Sequence, residues 1–188
     1  MKIDVIGAGN IGGTIGASWE KAGHDVTYQL RDPEKKTGAV PLGQDLHQAD
    51  AVLLALPGRA VVDFVRSQAK ALDGKILIDA TNNFGAPSFN SWHELLKLVP
   101  DAELYRAFNS LGADVFQNPQ LGGEKADLFY CGPENDAPVV ERLIEDVGLR
   151  PIRVGGMDEV DTVDGVLRLW YTLAQSRGRR IAFRLISD

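Results

Sequence analysis

Seven short apolar runs punctuate the chain: Lys2–Ile6, Asp25–Leu30, Ala51–Leu56, Lys75–Ala80, Leu104–Phe108, Asp127–Cys131 and Pro151–Val154. Most are nearly continuous in Ile, Val, Leu and Ala, as strands covered on both faces must be. The spacing between them predicts helices over Asn10–Ala22, Arg59–Leu72, Ser91–Leu98 and Ala137–Val147. Gly23 and Gly148 stand where such helices stop, Asp73-Gly74 makes a turn into the next run, and Asp136 is a good capping residue before Ala137. A β-then-α repeat of this kind winds into a parallel sheet with right-handed crossovers and helices on both faces. The expected class is therefore α/β, doubly wound and mostly parallel.

From about residue 158 the pattern changes. Val163, Val166, Leu167, Trp170, Leu173 and Ala174 recur at helical period, and the tail ends in Arg177, Arg179, Arg180 and Arg184. Residues 1–157 are expected to form one domain and 158–188 a helical extension that packs on it or forms a subunit contact.

Several function classes are disfavoured at this point. The formal charge of -6 argues against nucleic acid, whose binders are usually basic. One cysteine and three scattered histidines leave neither a disulfide framework nor a metal-ligand cluster. No apolar run reaches the ~20 residues of a membrane span. Met1-Lys2 leads straight into an apolar strand, unlike a leader peptide. A soluble, cytoplasmic protein is expected.

The first run ends in "VIGAGNIGG", with Gly7, Gly9 and Gly12 spelling G-x-G-x-x-G. Alone the pattern is weak, but here a strand leads in and a helix follows. Gly7 then permits the tight turn, Gly9 lets a pyrophosphate approach the backbone, and Gly12 lets helix and strand pack closely. The amides of Asn10 and Ile11 would face the phosphates from the positive end of the helix. At the end of the second run, 19 positions after Gly12, stands Arg31 where an NAD protein usually places an acid. Arginine there suits a 2′-phosphate, with Lys35 or Lys36 as a second cation, so NADP(H) is favoured over NAD. Asp32 is the dissenting residue, able to hold a 2′-hydroxyl had the strand ended one position later.

Ligands of such sheets bind beyond the carboxyl ends of the strands. Leu56 and Pro57 follow the third run, Ala80, Thr81, Asn82 and Asn83 the fourth, and Asn109 and Ser110 the fifth. These loops are expected to line the nicotinamide, although each Asn also serves as a turn former. No acid–base constellation accompanies them, and no catalytic side chain is assigned. His93, Lys97, Tyr105 and Lys125 are scattered, and Cys131 suits a buried small hydrophobe. A substrate that is itself a redox cofactor would accept hydride without proton chemistry from the protein.

Taken together, "IDVIGAGNIGGTIG", "LRDPEK", "LLALP", "LIDATN", "RAFNSLGADVF", "LFYCGPENDAPVVERLIEDVGLRPIRVG", "GVLRLWYTLA" and "RGRRIAFRLI" resemble the coenzyme F420-dependent NADP oxidoreductase family over nearly the whole chain. The resemblance implies a Rossmann domain with a small C-terminal helical part, often dimeric. It also implies NADP(H) held by the glycine loop and by Arg31 with Lys35. Hydride would pass between the nicotinamide and a small-molecule redox partner, F420 or a flavin, stacked against it. Asn83 follows Asn82 where members often carry Pro, and Leu30 precedes Arg31 where the best-known members carry Ser. Two other readings stand beside this one: a reductase of a small carbonyl or imine, and a non-catalytic NADPH-binding module.

Overall fold

A computed structural model describes residues 1–187; Asp188, the last residue of the expected extension, lies outside the described residues. The apolar runs form the strands of an eight-stranded sheet. They are β1 (Lys2–Ile6), β2 (Asp25–Leu30), β3 (Val40–Pro41), β4 (Ala51–Leu54), β5 (Ile76–Asp79), β6 (Glu103–Arg106), β9 (Asp127–Cys131) and β10 (Arg150–Gly155). Strands β7 (Gln120–Leu121) and β8 (Glu124–Lys125) make a separate hairpin. The main sheet runs β10-β9-β6-β5-β4-β1-β2-β3. Its order turns back between β1 and β4, the crevice where open α/β sheets take ligands.

Burial explains the strands. All four residues of β4 are buried, as are four of the five in β1. One apolar cluster, including Ile3, Val5, Ile15, Trp19, Tyr105 and Leu143, fills one side of the sheet. Ile6, Val52, Leu54, Val61, Leu77 and Trp92 belong to the cluster on the other side. The helices are α1 (Asn10–Lys21), α2 (Gly58–Leu72), α3 (Trp92–Leu98), α4 (Ala113–Gln117), α5 (Ala137–Asp146) and α6 (Val160–Arg177). The doubly wound, mostly parallel architecture and the C-terminal helix are as expected. No helix among the described residues is long and apolar enough to cross a membrane.

Three details differ from the sequence reading. β9 meets β6 antiparallel, through the single pair Arg106–Cys131, and β10 follows β9 in parallel. Between β6 and β9 lie only the five-residue α4 and a hairpin, whereas a parallel return usually needs a full crossover helix. Asp136 occupies the N-cap position of α5 but its side chain makes no cap hydrogen bond. The tail is helical only as far as Arg177. Beyond Gly178 it runs back over the sheet, where Phe183 accepts a hydrogen bond from the backbone N–H of Asp127.

Candidate dinucleotide site

The loop after β1 is shaped by its glycines. Gly7 has φ 99°, and a Cβ there would lie 2.6 Å from the carbonyl oxygen of Ala55. A Cβ on Gly12 would come within 2.0 Å of the carbonyl oxygen of Gly7 and 3.0 Å of Val5 Cγ1. Both positions therefore exclude a side chain through the fold itself. Gly9 differs: a Cβ there would meet nothing within 4 Å, and the residue is exposed. No contact among the described residues requires glycine at position 9, which fits close approach by a ligand. Gly9 is the N-cap of α1 and supplies no side-chain cap, and the first turn carries no acid. The leading amides, Asn10 and Ile11 among them, lack intrahelical acceptors and sit at the positive end of the helix. A cleft of about 470 Å³ opens along Ala8, Gly9, Asn10 and Gly13.

Across the β1/β4 crevice, Gly7, Leu30, Arg31, Lys35, Leu56 and Pro57 line a second cleft of about 280 Å³. The fold thus gathers four separate sequence expectations into one place. Asp32, the dissenting acid, pairs with Lys35 at 2.6 Å, and that ammonium holds its carboxyl below the usual range. Lys36 lies over the ring of Tyr28, 3.9 Å from its centroid. Arg31 is exposed and has no ion-pair partner among the described residues. Lys35 therefore acts first to neutralise Asp32, which leaves Arg31 as the unpaired cation of the cleft.

The loops after β5 and β6 are organised by a side chain the sequence reading did not single out. Arg106 is fully buried. Its Nη1 donates to Asp79 Oδ2 at 2.9 Å and to the carbonyl oxygen of Thr81. Its Nη2 donates to Asn82 Oδ1 at 2.9 Å and to Asp164 Oδ1 at 2.8 Å, and its Nε to the same Asp164 oxygen at 3.0 Å. Thr81 donates both its N–H and its hydroxyl to Asp79 Oδ1, at 2.9 and 2.7 Å. Asn82 Nδ2 donates to the carbonyl oxygen of Asn109 at 2.9 Å. Thr81 and Asn109 are consequently buried, and Ala80 is only 7% exposed. Thr81 and Asn82 serve chiefly to hold the two loops together.

The signal for this network lay in polar residues on apolar ground. Asp79 and Arg106 lie inside apolar runs, as the last residues of β5 and β6, and Asp164 lies beside Val163 on the apolar face of the tail helix. A buried charge needs a partner, and each of these supplies one for another. Other expectations resolve simply. Cys131 is buried, and burial pushes its thiol up to about 12, so it is an inert core residue. His93 is exposed on α3 and lines a cleft of about 470 Å³ with Phe89, Asn90, Asp161, Asp164 and Arg168.

This fold, with the glycine loop and clefts at its switch point, is shared with solved structures of reductases. Residues 2–83 match the family described as NADP oxidoreductase, coenzyme F420-dependent. Over its full length it superposes on a protein provisionally assigned as an F420-dependent NADP-reductase from Arthrobacter sp. FB24. The TM-score is 0.85 at 22% identity, and each chain is covered completely. An imine reductase from Streptomyces aurantiacus matches with a TM-score of 0.66 at 16% identity, over 93% of this chain and 64% of that one. The glycerol-3-phosphate dehydrogenase [NAD(P)+] of Ectopseudomonas mendocina is 29% identical over 148 aligned positions, covering 66% of this chain. That match spans only 41% of the dehydrogenase, so the chain corresponds to about two fifths of that curated relative.

Proposed function

We propose that the protein is an NADP(H)-dependent oxidoreductase that exchanges hydride with a redox cofactor such as F420 or a flavin. The observation that carries the reading is Arg31, unpaired in the cleft shared with Gly7, Leu56 and Pro57 while Lys35 neutralises Asp32. A guanidinium so placed favours a 2′-phosphate over a bare ribose. In this reading Gly7, Gly9 and Gly12 with the amides of Asn10 and Ile11 hold the pyrophosphate. Leu56 and Pro57, expected beside the nicotinamide, share the cleft of Arg31 and flank the adenosine half instead, while Ala80, Thr81, Asn82 and Asn109 border the nicotinamide. Residues 1–157 act as the nucleotide-binding domain and 158–188 as its extension, in a cytoplasmic homodimer. NADPH held there would supply the hydride, and the chain's residues would supply its position, which contributes by proximity.

The acceptor is tested by following NADPH oxidation against F420, FMN, FAD, quinones and small carbonyls and imines. Turnover with F420 or a flavin, and a kcat flat across neutral pH, is expected. A second reading, reduction of a small imine or carbonyl, is favoured by His93, which lines a cleft beside the loop that follows β5. Under it, imines would be turned over and His93→Gln would lower kcat with them while NADPH affinity stays unchanged. Binding of NADPH without oxidation by any acceptor would instead indicate a cofactor-sensing module.

A further inference from the structure

The apolar residues of α6 divide between two stripes rather than forming one. Val163, Leu167, Trp170 and Ala174 point inward and pack into the core clusters on the sheet. On the same inner side Asp164 accepts from Arg106 and from Asn109 Nδ2, the latter at 2.9 Å. A second run, Thr162, Val166, Leu169, Leu173 and Ser176, alternates steps of four and three residues. Residues so spaced share one face of a helix, here about a third of a turn away from the first stripe. Val166 and Leu173 are half-buried yet belong to neither core cluster, and Leu169 is 52% exposed. The inner stripe already docks α6 on the sheet. A further apolar seam at this spacing is what a helix carries when another helix lies along it.

The charges of the segment are sorted by end. Asp158, Glu159 and Asp161 stand at its start, and Arg177, Arg179 and Arg180 at its finish. Arg179 pairs with Asp114 at 3.6 Å, but Asp158, Asp161 and Arg177 are exposed and have no ion-pair partner among the described residues. Arg168, near the middle, lies over the Phe89 ring at 5.3 Å and so turns toward its own chain. A surface with an apolar centre, an acidic end and a basic end is its own complement across a two-fold axis. Antiparallel pairing sets acid beside base and opposes the two helix dipoles, whereas parallel pairing sets like ends together. We propose that the outer seam of α6 is a self-association surface on which α6 of a second copy lies antiparallel, with Leu169 near the two-fold axis. The inference rests on the homodimer of the reading above and adds its surface, its orientation and the residues that carry it.

Sedimentation equilibrium, circular dichroism and cross-linking test it on the whole chain. The wild type is expected to dimerise with a Kd of about 1–10 μM, the weak end for a small interface. Leu169→Glu puts like charges at the axis and should raise that Kd about 100-fold, with the helical circular dichroism signal unchanged. Phe84→Ser, at the exposed ring that meets Tyr171 on the other flank of α6, should leave the Kd within about twofold. Loss of the dimer in that variant instead would place the contact on the wrong flank and overturn the proposal. Orientation is read from Thr162→Cys and Ser176→Cys, both at exposed positions, since Cys131 is buried. A short bis-maleimide is expected to join the two variants when mixed and neither variant to itself. Each variant cross-linking to itself would mean a parallel pair and overturn the proposal. A dimer that Leu169→Glu leaves unchanged, or one whose mixed cysteine variants do not cross-link, also overturns it, while the homodimer itself stands on another face. A wild type still monomeric at about 100 μM overturns both the seam and the homodimer. The cysteine pair decides the question if Leu169→Glu fails to fold.

Discussion

Arg31 and Asp32 are neighbours of opposite sign, and their contrast decides the cofactor reading at the level of single residues. Lys35 occupies the acid, so the exposed guanidinium next to it is left to meet a ligand. Arg31→Ala is expected to weaken NADPH about 10- to 100-fold, the worth of a charge-assisted contact, and NADH by less than about threefold. Equal losses in paired titrations would remove the 2′-phosphate assignment. Asp4 shows the opposite use of an acid. It is 7% exposed on β1, accepts a hydrogen bond from Gln29 Nε2 at 3.0 Å, and burial raises its pKa from 3.8 to about 6. Between about pH 4 and pH 6 the folded state keeps a proton that the unfolded chain has released. Stability therefore falls as pH rises through that window, and the whole penalty applies at pH 7. Asp4→Asn should raise stability at pH 7 by about 1–3 kcal/mol and give no advantage below about pH 4, read from urea midpoints at the two pH values.

Among the elements, β9 shows how a strand and a tail depend on one carboxylate. Asp127 is fully buried at its side chain and accepts from Arg150 Nε at 2.6 Å and Nη2 at 2.7 Å, across the β9–β10 pair. Its Oδ2 also accepts from the backbone N–H of Leu185, and Arg150 donates to the Leu185 carbonyl. One ion pair thus closes the strand pair and pins the segment beyond Gly178. Asp127→Ala removes the acceptor of both Arg150 and the Leu185 N–H and should lower the denaturation midpoint. The accompanying sign is local: hydrogen exchange at Leu185 should rise toward the unprotected rate while amides of β1 and β4 keep their protection.

Across the whole molecule the three tryptophans bind distant elements through their indole N–H groups. Trp19 donates to the Leu143 carbonyl at 2.8 Å, joining α1 to α5, and Trp92 donates to Met157 at 3.0 Å. Trp170 donates to Ile181 at 3.0 Å, which folds the tail back on α6. Trp19 is fully buried and meets Phe108 edge to face, with centroids 5.9 Å apart. Trp19→Phe keeps a ring but leaves the Leu143 carbonyl without this donor, a loss of about 1–3 kcal/mol. A lower denaturation midpoint with an unchanged m-value would show that the two halves still unfold as one unit.

The sequence by itself determined the sheet, most helices and the glycine loop, because those depend on local periodicity and on glycines read within one strand–turn–helix unit. It placed Arg31 correctly at the end of β2 for the same reason: strand length and spacing are local quantities. Tertiary structure alone decided the direction of β9 and β10, which followed from what the chain could fit between β6 and β9. It alone showed that Lys35 answers Asp32, since a flexible lysine three residues away has many other choices. It alone joined Asp79, Arg106, Asn109 and Asp164, whose members are 27 to 58 residues apart in the bonded pairs of Arg106 and 55 in that of Asn109. In the sequence each was a polar residue against an apolar pattern. Burial, which forces every charge and amide to find a partner, made them one site.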